Sequence, residues 1–405
     1  MTAKNLFPIF TKHPDLIYLD SAATSLRPAS VILAERNYVE GFSANIARGL
    51  YPIAEVATDA FESAREKVAR HIGAEPEEII LTSGTTHGIN LAAQLLASSL
   101  TPSDNIIVSE LEHHSNFLPW KELARSKNVE LRITPFTDEG LLDSEKLLSL
   151  VDARTHIVAF CAVSNVTGGI NPVGDIVRLI RRKNPEVIIL VDAAQAIGHI
   201  QINVKKWDAD FVAFSGHKMY GPTGIGILYG KKEILEKCSP VAFGGGMVID
   251  ACTGTPEYRE IPYRFEAGTP NISGAIGLGA AIDFIEGIGI EDIRTHDLEL
   301  SLYATEKLER IFGNDIHILG PKNTENRSSL ISFTLKDIHP HDLAALLGEK
   351  NICIRAGEHC AAPLHRKLNL SATARISFGI YNDTRDIDVL IREIKIALSL
   401  FKNTE

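Results

Sequence analysis

The first two thirds of the chain alternate short β-rich runs with helical patterns, and this alternation restricts the fold more than any other feature. The strand-like runs lie at 77–83, 105–110, 155–164, 186–195 and 210–216. Segments with helical spacing follow the first three of them. Because parallel strands need helical crossovers that cover the sheet, the pattern predicts an α/β domain with a mostly parallel central sheet and helices on both faces.

The pattern changes near residue 287. A glycine-marked bend and one long helix occupy 286–315, and strand-like runs at 328–335, 351–355 and 374–381 are then mixed with helices. This arrangement predicts a smaller α+β domain over 287–405, to which the N-terminal segment 1–17 is assigned. The larger domain is predicted to span 18–286.

The composition is that of an ordinary globular protein, with 405 residues, 45% of them hydrophobic. The 41 basic residues against 51 acidic ones give a formal charge of −10, which disfavours nucleic acid as a partner. Membrane attachment is not expected, because no apolar run approaches the roughly 18 residues of a spanning helix. Without an export signal the expected location is the cytoplasm. Five cysteines without a C-x-x-C pair indicate neither a disulfide framework nor a metal site.

Polar side chains follow each predicted strand of the large domain. Since ligands bind at the carboxyl ends of strands in an open parallel sheet, these residues are expected to share one rim. They are Ser83, Thr85, Thr86 and His87, then Glu110, Glu112, His113 and His114, then Ser164, Asn165 and Thr167, then Asp192 and Gln195, and finally Ser215, His217 and Lys218. Each group alone has a simpler explanation, such as a helix cap or a lysine that reaches solvent past an apolar wall.

Together the rim residues suit one ligand, pyridoxal phosphate (PLP). This cofactor needs a lysine for a Schiff base, a carboxylate for its pyridine nitrogen, a surface to stack on and a hydroxyl-rich site for its phosphate. Lys218, Asp192 and His113 supply the first three, and the threonine and serine hydroxyls supply the last. The glycines around Lys218 are expected to let the backbone approach a planar ring. Desolvation of the lysine amine favours its neutral, reactive form.

Six segments carry a resemblance to a known family: DSAATS (20–25), SGTTHGIN (83–90), EHHSNFLPW (112–120), VDAAQAIGH (191–199), SGHKMYGPTGIG (215–226) and RFEAGTPN (264–271). Together they resemble the aminotransferase class V enzymes of PLP fold type I, and among these the group II cysteine desulfurases and selenocysteine lyases. The likeness runs from about Leu19 to the C-terminal helix. It implies a homodimer with shared active sites.

The resemblance assigns a role to each matching residue. Lys218 would carry the cofactor, Asp192 would pair with the pyridine nitrogen, Gln195 would contact the ring oxygen, and His113 would stack on the ring and handle protons. The phosphate would be held by Thr85, Thr86, Ser215 and His217, with Thr269 reaching the phosphate of the neighbouring subunit. Asn165 would lie close to the substrate.

The segment 352–379 matches the loop R-x-G-x-H-C-A of the group II enzymes through Arg355, Gly357, His359, Cys360 and Ala361. This match implies that Cys360 is the sulfur acceptor, although free cysteines are more often buried structural residues. Arg375 matches the residue that binds the substrate carboxylate, a role suited to a planar guanidinium, and Arg355 is the second candidate. The alternative for Arg375 is a surface ion pair.

Three positions depart from the family pattern: Glu358 and Tyr51 stand where histidine is frequent, and His87 stands where glutamate is frequent. A carboxylate two residues from Cys360 is expected to disfavour its thiolate.

The expected reaction converts L-cysteine to L-alanine and leaves a persulfide on Cys360, from which a sulfur-acceptor protein or iron–sulfur scaffold would take the sulfur. The alternatives are a selenocysteine lyase, a kynureninase-like enzyme or an aminotransferase of the same fold, and a cofactor-free scaffold protein.

Overall fold

The computed structural model describes residues 3–47, 49–251 and 254–402, so Cys252 lies outside the described residues. The strands are β1 (Ile17–Tyr18), β2 (Ile79–Thr82), β3 (Asn105–Ser109), β4 (Glu130–Thr134), β5 (Thr155–Cys161), β6 (Ile188–Asp192), β7 (Phe211–Ser215), β8 (Gly226–Gly230), β9 (Val248–Asp250), β10 (Glu257–Tyr258), β11 (Ile316–Ile318), β12 (Leu330–Leu335), β13 (Ile352–Cys353), β14 (Arg355–Gly357) and β15 (Thr373–Ser377).

The helices are α1 (Ile9–Lys12), α2 (Ala29–Gly41), α3 (Pro52–Ile72), α4 (Thr85–Leu96), α5 (His114–Lys127), α6 (Ser144–Leu150), α7 (Val173–Lys183), α8 (Val204–Trp207), α9 (Lys232–Leu235), α10 (Ile272–Ile288), α11 (Ile290–Phe312), α12 (Pro340–Gly348), α13 (Ala362–Lys367) and α14 (Thr384–Lys402). No single helix in the described ranges is long and apolar enough to cross a membrane. Helix α10 and the segment 290–315 pass that test only as a pair bent by 74°.

The central sheet has the strand order β2-β8-β7-β6-β5-β3-β4. Its pairings are parallel from β7 to β4, whereas β8 runs antiparallel to both β2 and β7. The predicted α/β class with a mostly parallel sheet is therefore confirmed. Strand β8 was not predicted; it approaches so closely that a Cβ atom on Gly226 would lie 2.5 Å from the Cα atom of Gly84. Only glycine fits at such a contact.

The central strands are apolar along their whole length because both faces of the sheet are covered. In β5, Val158 and Phe160 point into one hydrophobic core, and Ile157 and Ala159 point into the other. Strands β6 and β7 alternate in the same way. This two-sided burial leaves the ends of the strands as the place for polar side chains.

A second, antiparallel sheet of order β11-β12-β15-β14 forms the centre of the C-terminal part, with its own hydrophobic core. Helices α10 and α11 are separated by Gly289, close to the predicted boundary at 287. The domain division itself stays a prediction. The predicted strand 351–355 is divided in the structure, since β13 pairs with β1 and β14 pairs with β15.

The N-terminal segment contacts both parts of the chain. Phe7 packs against the rings of Tyr220, Phe284 and Tyr381. Beyond β1, Asp20 forms a β-bridge with Ser377 at the end of β15. The segment that follows β1 therefore passes between the end of the small sheet and the end of the large one.

Candidate active site

A cavity of about 250 Å³ lies at the carboxyl ends of the central strands. It is lined by every predicted site residue except Thr269, namely Thr85, Thr86, His113, Asn165, Asp192, Gln195, Ser215, His217, Lys218, Arg355, Cys360 and Arg375. The lining also includes residues that the sequence did not single out for this place: Ala22, Ala23, Ser115, Cys161, Val163, Ala194 and His359. The convergence of the strand ends on one rim is thus observed in the structure.

Lys218 ends a short 3₁₀ turn, Gly216–Lys218, that follows β7. Its Nζ atom donates a hydrogen bond to the backbone carbonyl of Ala22. Burial, assisted by the positive charge of Arg375, lowers the pKa of Lys218 to about 7. The amine is therefore available in its neutral, nucleophilic form near neutral pH.

Gly216 and Gly221, two of the glycines around Lys218, pack closely against other parts of the same turn. Their close neighbours are other backbone segments: a Cβ atom on Gly221 would lie 2.8 Å from the carbonyl oxygen of Gly216, and one on Gly216 would lie 3.0 Å from the carbonyl oxygen of Pro222. These contacts fold the turn between β7 and β8 tightly on itself. These two glycines thus hold the turn that carries Lys218, and the approach of the backbone to a planar ring stays a prediction.

Asp192 ends β6, and its Oδ1 atom accepts a 2.8 Å hydrogen bond from the backbone N–H of Ala194. Burial raises the pKa of Asp192 to about 6, against the lowering effects of that hydrogen bond and of Lys218. A cation placed against this carboxylate would stabilise its ionised form.

Close to Asp192 lies Glu112, a fully buried carboxyl group to which the sequence assigns no role. Burial raises the pKa of Glu112 to about 8. Its carboxyl group accepts hydrogen bonds from the side-chain amide of Asn116 and from the backbone N–H of Cys161, and Trp120 donates to Asn116 in turn. The EHHSNFLPW segment was the signal for this network, but its spacing alone does not show that the glutamate turns into the core.

His113 precedes α5 and caps it, because its Nδ1 atom accepts a 3.1 Å hydrogen bond from the backbone N–H of Ser115. Burial, with a contribution from Lys218, lowers the pKa of His113 to about 4, so the ring is neutral at neutral pH. Since Nδ1 is an acceptor, the proton of the neutral ring resides on Nε2. The cap therefore fixes the tautomer of the ring.

A candidate anion site lies where α4 begins. The Oγ atom of Ser215 accepts a 2.8 Å hydrogen bond from the backbone N–H of Thr85 and lies 2.7 Å from its hydroxyl oxygen. The hydroxyl group of Thr86 lies 2.7 Å from that of Ser115. Hydroxyl groups and the first N–H groups of a helix are the donors that a phosphate requires.

Gly84 permits this close approach of α4 to β7. Its φ of +149° is one that side-chain-bearing residues rarely adopt, and a Cβ atom there would lie 3.1 Å from Ser215 Oγ. His217 borders the same site, and burial lowers its pKa to about 4.

Two arginines face each other across the β14–β15 pair, with Arg355 opposite Arg375. Arg375 is buried and donates from Nη1 to the backbone carbonyl of Asn165 at 2.9 Å. Its Nε atom is buried and has no hydrogen-bond partner among the residues that the structure describes. Arg355 is half exposed at the mouth of the cavity. Both arginines line the cavity, and their predicted role in binding the substrate carboxylate stays a prediction.

Cys360 lies in the loop between β14 and α13 and is exposed. Both His359 and Cys360 have positive φ angles, 49° and 56°, which residues with side chains seldom adopt. Two contacts with residues that follow β5 and β3 stabilise this backbone: Asn165 Nδ2 donates to the carbonyl of His359 at 2.7 Å, and the N–H of His114 donates to the carbonyl of Cys360 at 2.7 Å. The thiol is therefore held at the cavity by residues from strand ends β3 and β5.

Thr269 lies apart from this cavity. It is exposed and borders a second cavity of about 720 Å³, together with Asn45, Ile249 and Arg259. Its expected contact with the phosphate of a neighbouring subunit stays a prediction.

Three positions depart from the family pattern, and two of them, Glu358 and Tyr51, are exposed. The third, His87, lies beside the candidate anion site, where its Nδ1 atom accepts a hydrogen bond from the backbone N–H of Ser83.

The donor set of the cavity fits PLP. One neutral lysine amine, one buried carboxylate and a hydroxyl-lined helix N-terminus open into the same space, and these groups match the aldehyde, the pyridine nitrogen and the phosphate of the cofactor. Among the described residues there is no group of three or more His, Cys, Asp or Glu side chains that could bind a metal ion. Fold and site together define a PLP-dependent enzyme of fold type I.

More particularly, the chain belongs to the aminotransferase class-V family, whose sequence model matches residues 17–390. A probable cysteine desulfurase of Halalkalibacterium halodurans is 45% identical over 97% of this chain and 96% of its own length. A probable cysteine desulfurase of Staphylococcus aureus is 43% identical, covering 98% of this chain and 96% of its own length.

Solved structures of cysteine desulfurases are similar over the whole length. The apo structure of the enzyme from Thermococcus onnurineus superposes with a TM-score of 0.93 at 37% identity, covering 100% of this chain and 99% of that one. The enzyme CsdA of Escherichia coli superposes with a TM-score of 0.90 at 36% identity, with 98% of each chain covered.

Proposed function

We propose that the protein is a PLP-dependent cysteine desulfurase that converts L-cysteine to L-alanine and leaves the sulfur as a persulfide on Cys360. The observation that carries this proposal is that Cys360 lines the same cavity of about 250 Å³ as Lys218 and Asp192. The reactions of an aminotransferase or a kynureninase-like enzyme do not require a cysteine thiol in the cavity that binds the cofactor. The names of the similar proteins support the same activity.

When bound, PLP supplies an electron sink that makes the Cα proton of an amino acid removable. The residues of this chain place the substrate for that chemistry. Arg375 binds the substrate carboxylate through its planar guanidinium group. Lys218, with its pKa lowered to about 7, accepts the Cα proton as a base. Asp192 would hold the pyridine nitrogen of the bound cofactor in its protonated form.

The sulfur step needs a nucleophile and a proton donor. The thiolate of Cys360 attacks the sulfur of the substrate, a new S–S bond forms, and the Cβ–S bond breaks with its electron pair left on the carbon side. Protons taken up at Cα and Cβ complete L-alanine: Lys218 returns to Cα the proton that it removed, and the proton that the Cys360 thiol gives up on forming its thiolate balances the one added at Cβ. The sum is one thiol and one cysteine converted to one persulfide and one alanine.

The persulfide then requires an acceptor, and we include in the proposal a sulfur-acceptor protein or iron–sulfur scaffold that receives it for cluster assembly. A homodimer is supported by large apolar side chains that are more than half exposed, among them Leu50, Phe243 and Ile249, the last of which lines the second cavity together with Thr269. A cytoplasmic location is supported by the catalytic thiol, which must stay reduced to react.

The proposal is tested by supplying the PLP-loaded protein with L-cysteine and measuring L-alanine and sulfide. We expect equal amounts of alanine and transferable sulfur with the unmodified protein, none with Lys218→Ala, and strongly reduced sulfur transfer with Cys360→Ala. A panel of L-cysteine, L-cysteine sulfinate and L-selenocysteine ranks the substrates. A Cys360→Ala protein that releases sulfide from cysteine at the original rate would disprove the role of this thiol.

A further inference from the structure

Ser115 lies between the ring of His113 and the candidate anion site. It is the second residue of α5 and lines the same cavity as His113 and Thr86. Its hydroxyl oxygen lies 2.9 Å from Nδ1 of His113 and 2.7 Å from the hydroxyl oxygen of Thr86. Thr86, in the first turn of α4, borders the candidate anion site together with Ser215 and His217. One hydroxyl group therefore joins the histidine to this site.

The direction of each hydrogen bond in this chain of contacts follows from the tautomer of His113. The backbone N–H of Ser115 donates to Nδ1 at 3.1 Å, so Nδ1 carries no proton. The 2.9 Å contact of Nδ1 with the Ser115 hydroxyl is then a hydrogen bond only if the hydroxyl donates. Because a hydroxyl has a single proton, Thr86 must donate in its 2.7 Å contact with Ser115. In this arrangement the Thr86 proton points to Ser115 and not into the anion site.

Binding of a phosphate group requires the opposite arrangement at Thr86. A phosphate group presents acceptor oxygens, so the Thr86 hydroxyl can bind it only by turning its proton towards it. Two hydroxyl oxygens 2.7 Å apart need a proton between them, and Ser115 then has to supply it. Nδ1 of His113 keeps the contact with the backbone N–H at 3.1 Å. A phosphate group on Thr86 therefore removes one hydrogen bond from His113.

The other hydroxyl pair of the candidate anion site serves as a comparison. The hydroxyl oxygens of Thr85 and Ser215 lie 2.7 Å apart, and the Ser215 oxygen also accepts from the backbone N–H of Thr85 at 2.8 Å. Both partners of this pair belong to the anion site itself, whereas Ser115 belongs to the cap of α5. A proton that turns from the Thr85–Ser215 pair to a phosphate therefore leaves the contacts of the His113 ring as they are.

We propose that Ser115 is a positioning residue that couples the candidate anion site to His113: its hydroxyl donates to Nδ1 of His113 in the arrangement seen here, and to Thr86 once the phosphate group of the cofactor binds. This inference rests on the proposed function, since it assumes that the cavity binds PLP. Loss of the hydroxyl donor raises the proton affinity of Nδ1. The histidine that is expected to stack on the cofactor is thereby adjusted when the phosphate group is in place.

The test compares the protein loaded with PLP and the protein loaded with pyridoxal, which has the same ring and aldehyde but no phosphate group. The histidines are isotope-labelled for nitrogen NMR, and the Nδ1 resonance of His113 is identified by its absence in His113→Gln. A ring nitrogen that loses a hydrogen-bond donor resonates at higher frequency. We therefore expect the Nδ1 resonance at higher frequency with PLP than with pyridoxal. Equal frequencies in the two loaded forms overturn the inference.

Three variants show whether the hydroxyl of Ser115 carries the effect. Ser115→Ala keeps the backbone N–H that caps α5 but has no hydroxyl, so its resonance should have one frequency with both ligands. Ser115→Thr restores a hydroxyl and should restore the difference. Thr85→Val is the matched control, because it removes a hydroxyl of the same site that contacts Ser215, and the difference should remain. A full difference in Ser115→Ala, or its loss in PLP-loaded Thr85→Val, overturns the inference.

If Ser115→Ala does not fold or hold the cofactor, Thr86→Val decides. This variant removes the group that receives the reversed hydrogen bond, so the Nδ1 resonance should again have one frequency with both ligands, and a persisting difference overturns the inference. The failure of the proposed function looks different. A PLP-loaded protein that forms no L-alanine from L-cysteine overturns the desulfurase activity. Alanine formation with a resonance that does not respond to the phosphate group overturns only the role of Ser115.

Discussion

The side-chain amide of Asn165 donates a 2.7 Å hydrogen bond to the backbone carbonyl of His359, the residue before Cys360. The backbone carbonyl of Asn165 accepts at 2.9 Å from Arg375. One residue that follows β5 therefore contacts both the loop of the sulfur-accepting cysteine and the arginine assigned to the substrate carboxylate. Asn165 therefore links the arginine assigned to the substrate carboxylate with the loop that carries the Cys360 thiol.

Asn165→Ala removes the contact with the loop and leaves the backbone contact with Arg375 in place. We expect sulfur transfer to Cys360 to slow by about tenfold, because the strained backbone at His359 and Cys360 loses a partner worth roughly 1–3 kcal/mol. The cofactor absorbance should not change. Asn184→Ala is the matched control, since the side-chain amide of Asn184 likewise donates to backbone carbonyls, those of Asp152 and Thr155, but does not line the cavity. Equal slowing in both variants would contradict the loop-anchoring role.

The lowered pKa of Lys218, about 7, sets the pH dependence of cofactor loading. Below that pH the amine is an ammonium group and cannot attack an aldehyde, and above it the amine is neutral and reactive. The rate at which the cofactor-free protein takes up PLP should therefore rise with pH through about 7 and then level off. Stopped-flow absorbance measures this rate, and a rise centred near the usual lysine pKa of about 10.4 would contradict a desolvated amine.

The raised pKa of Asp192, about 6, predicts a stability change in the cofactor-free protein. The carboxyl group is protonated more readily when folded than when unfolded, so its favourable contribution is full below about pH 4 and is lost as the pH rises to about 6. The loss amounts to about 3 kcal/mol for a shift of about two units. Denaturant unfolding measures the free energy of unfolding between pH 4 and 6. In Asp192→Asn this free energy should not fall over that range, whereas in the exposed control Asp15→Asn it should fall as in the unmodified protein.

Thr85→Val removes the hydroxyl group that lies 2.7 Å from Ser215 while keeping the shape of the side chain. If this group belongs to the phosphate site, the affinity for PLP should fall by about tenfold, because a buried hydrogen-bonding group loses its partner. Fluorescence titration of the cofactor-free protein measures the affinity. Thr295→Val, on the exposed side of α11, controls for the loss of a threonine hydroxyl. An unchanged affinity in Thr85→Val would remove this residue from the site.

Much of the site could be predicted because it lies at strand ends. Asp192 and Lys218 directly follow apolar runs whose length and β-branched composition mark buried strands, and parallel strands bring such ends to one rim. The Cys360 loop was predicted from its resemblance to known loops, since nothing in its local pattern places it opposite Lys218.

The residues that were missed depend on contacts between distant parts of the chain. Asp20 lies in an irregular segment without periodicity, and Arg355 and Arg375, which its carboxylate contacts, are more than 330 positions away. Strand β8 was missed because its antiparallel insertion depends on the glycine contact with Gly84, which no local pattern reveals. The burial of Glu112 depends on the packing of α5 over the sheet.

The central claim is that Cys360 receives the sulfur of the substrate at the site that holds the cofactor. Mass spectrometry of the PLP-loaded protein, quenched under anaerobic conditions after addition of L-cysteine and digested without reductant, tests it directly. The account predicts one added sulfur atom on the peptide that contains Cys360, and none on that peptide in Lys218→Ala. An unmodified Cys360 peptide in a protein that has formed L-alanine, or the added sulfur on another cysteine, would contradict the account.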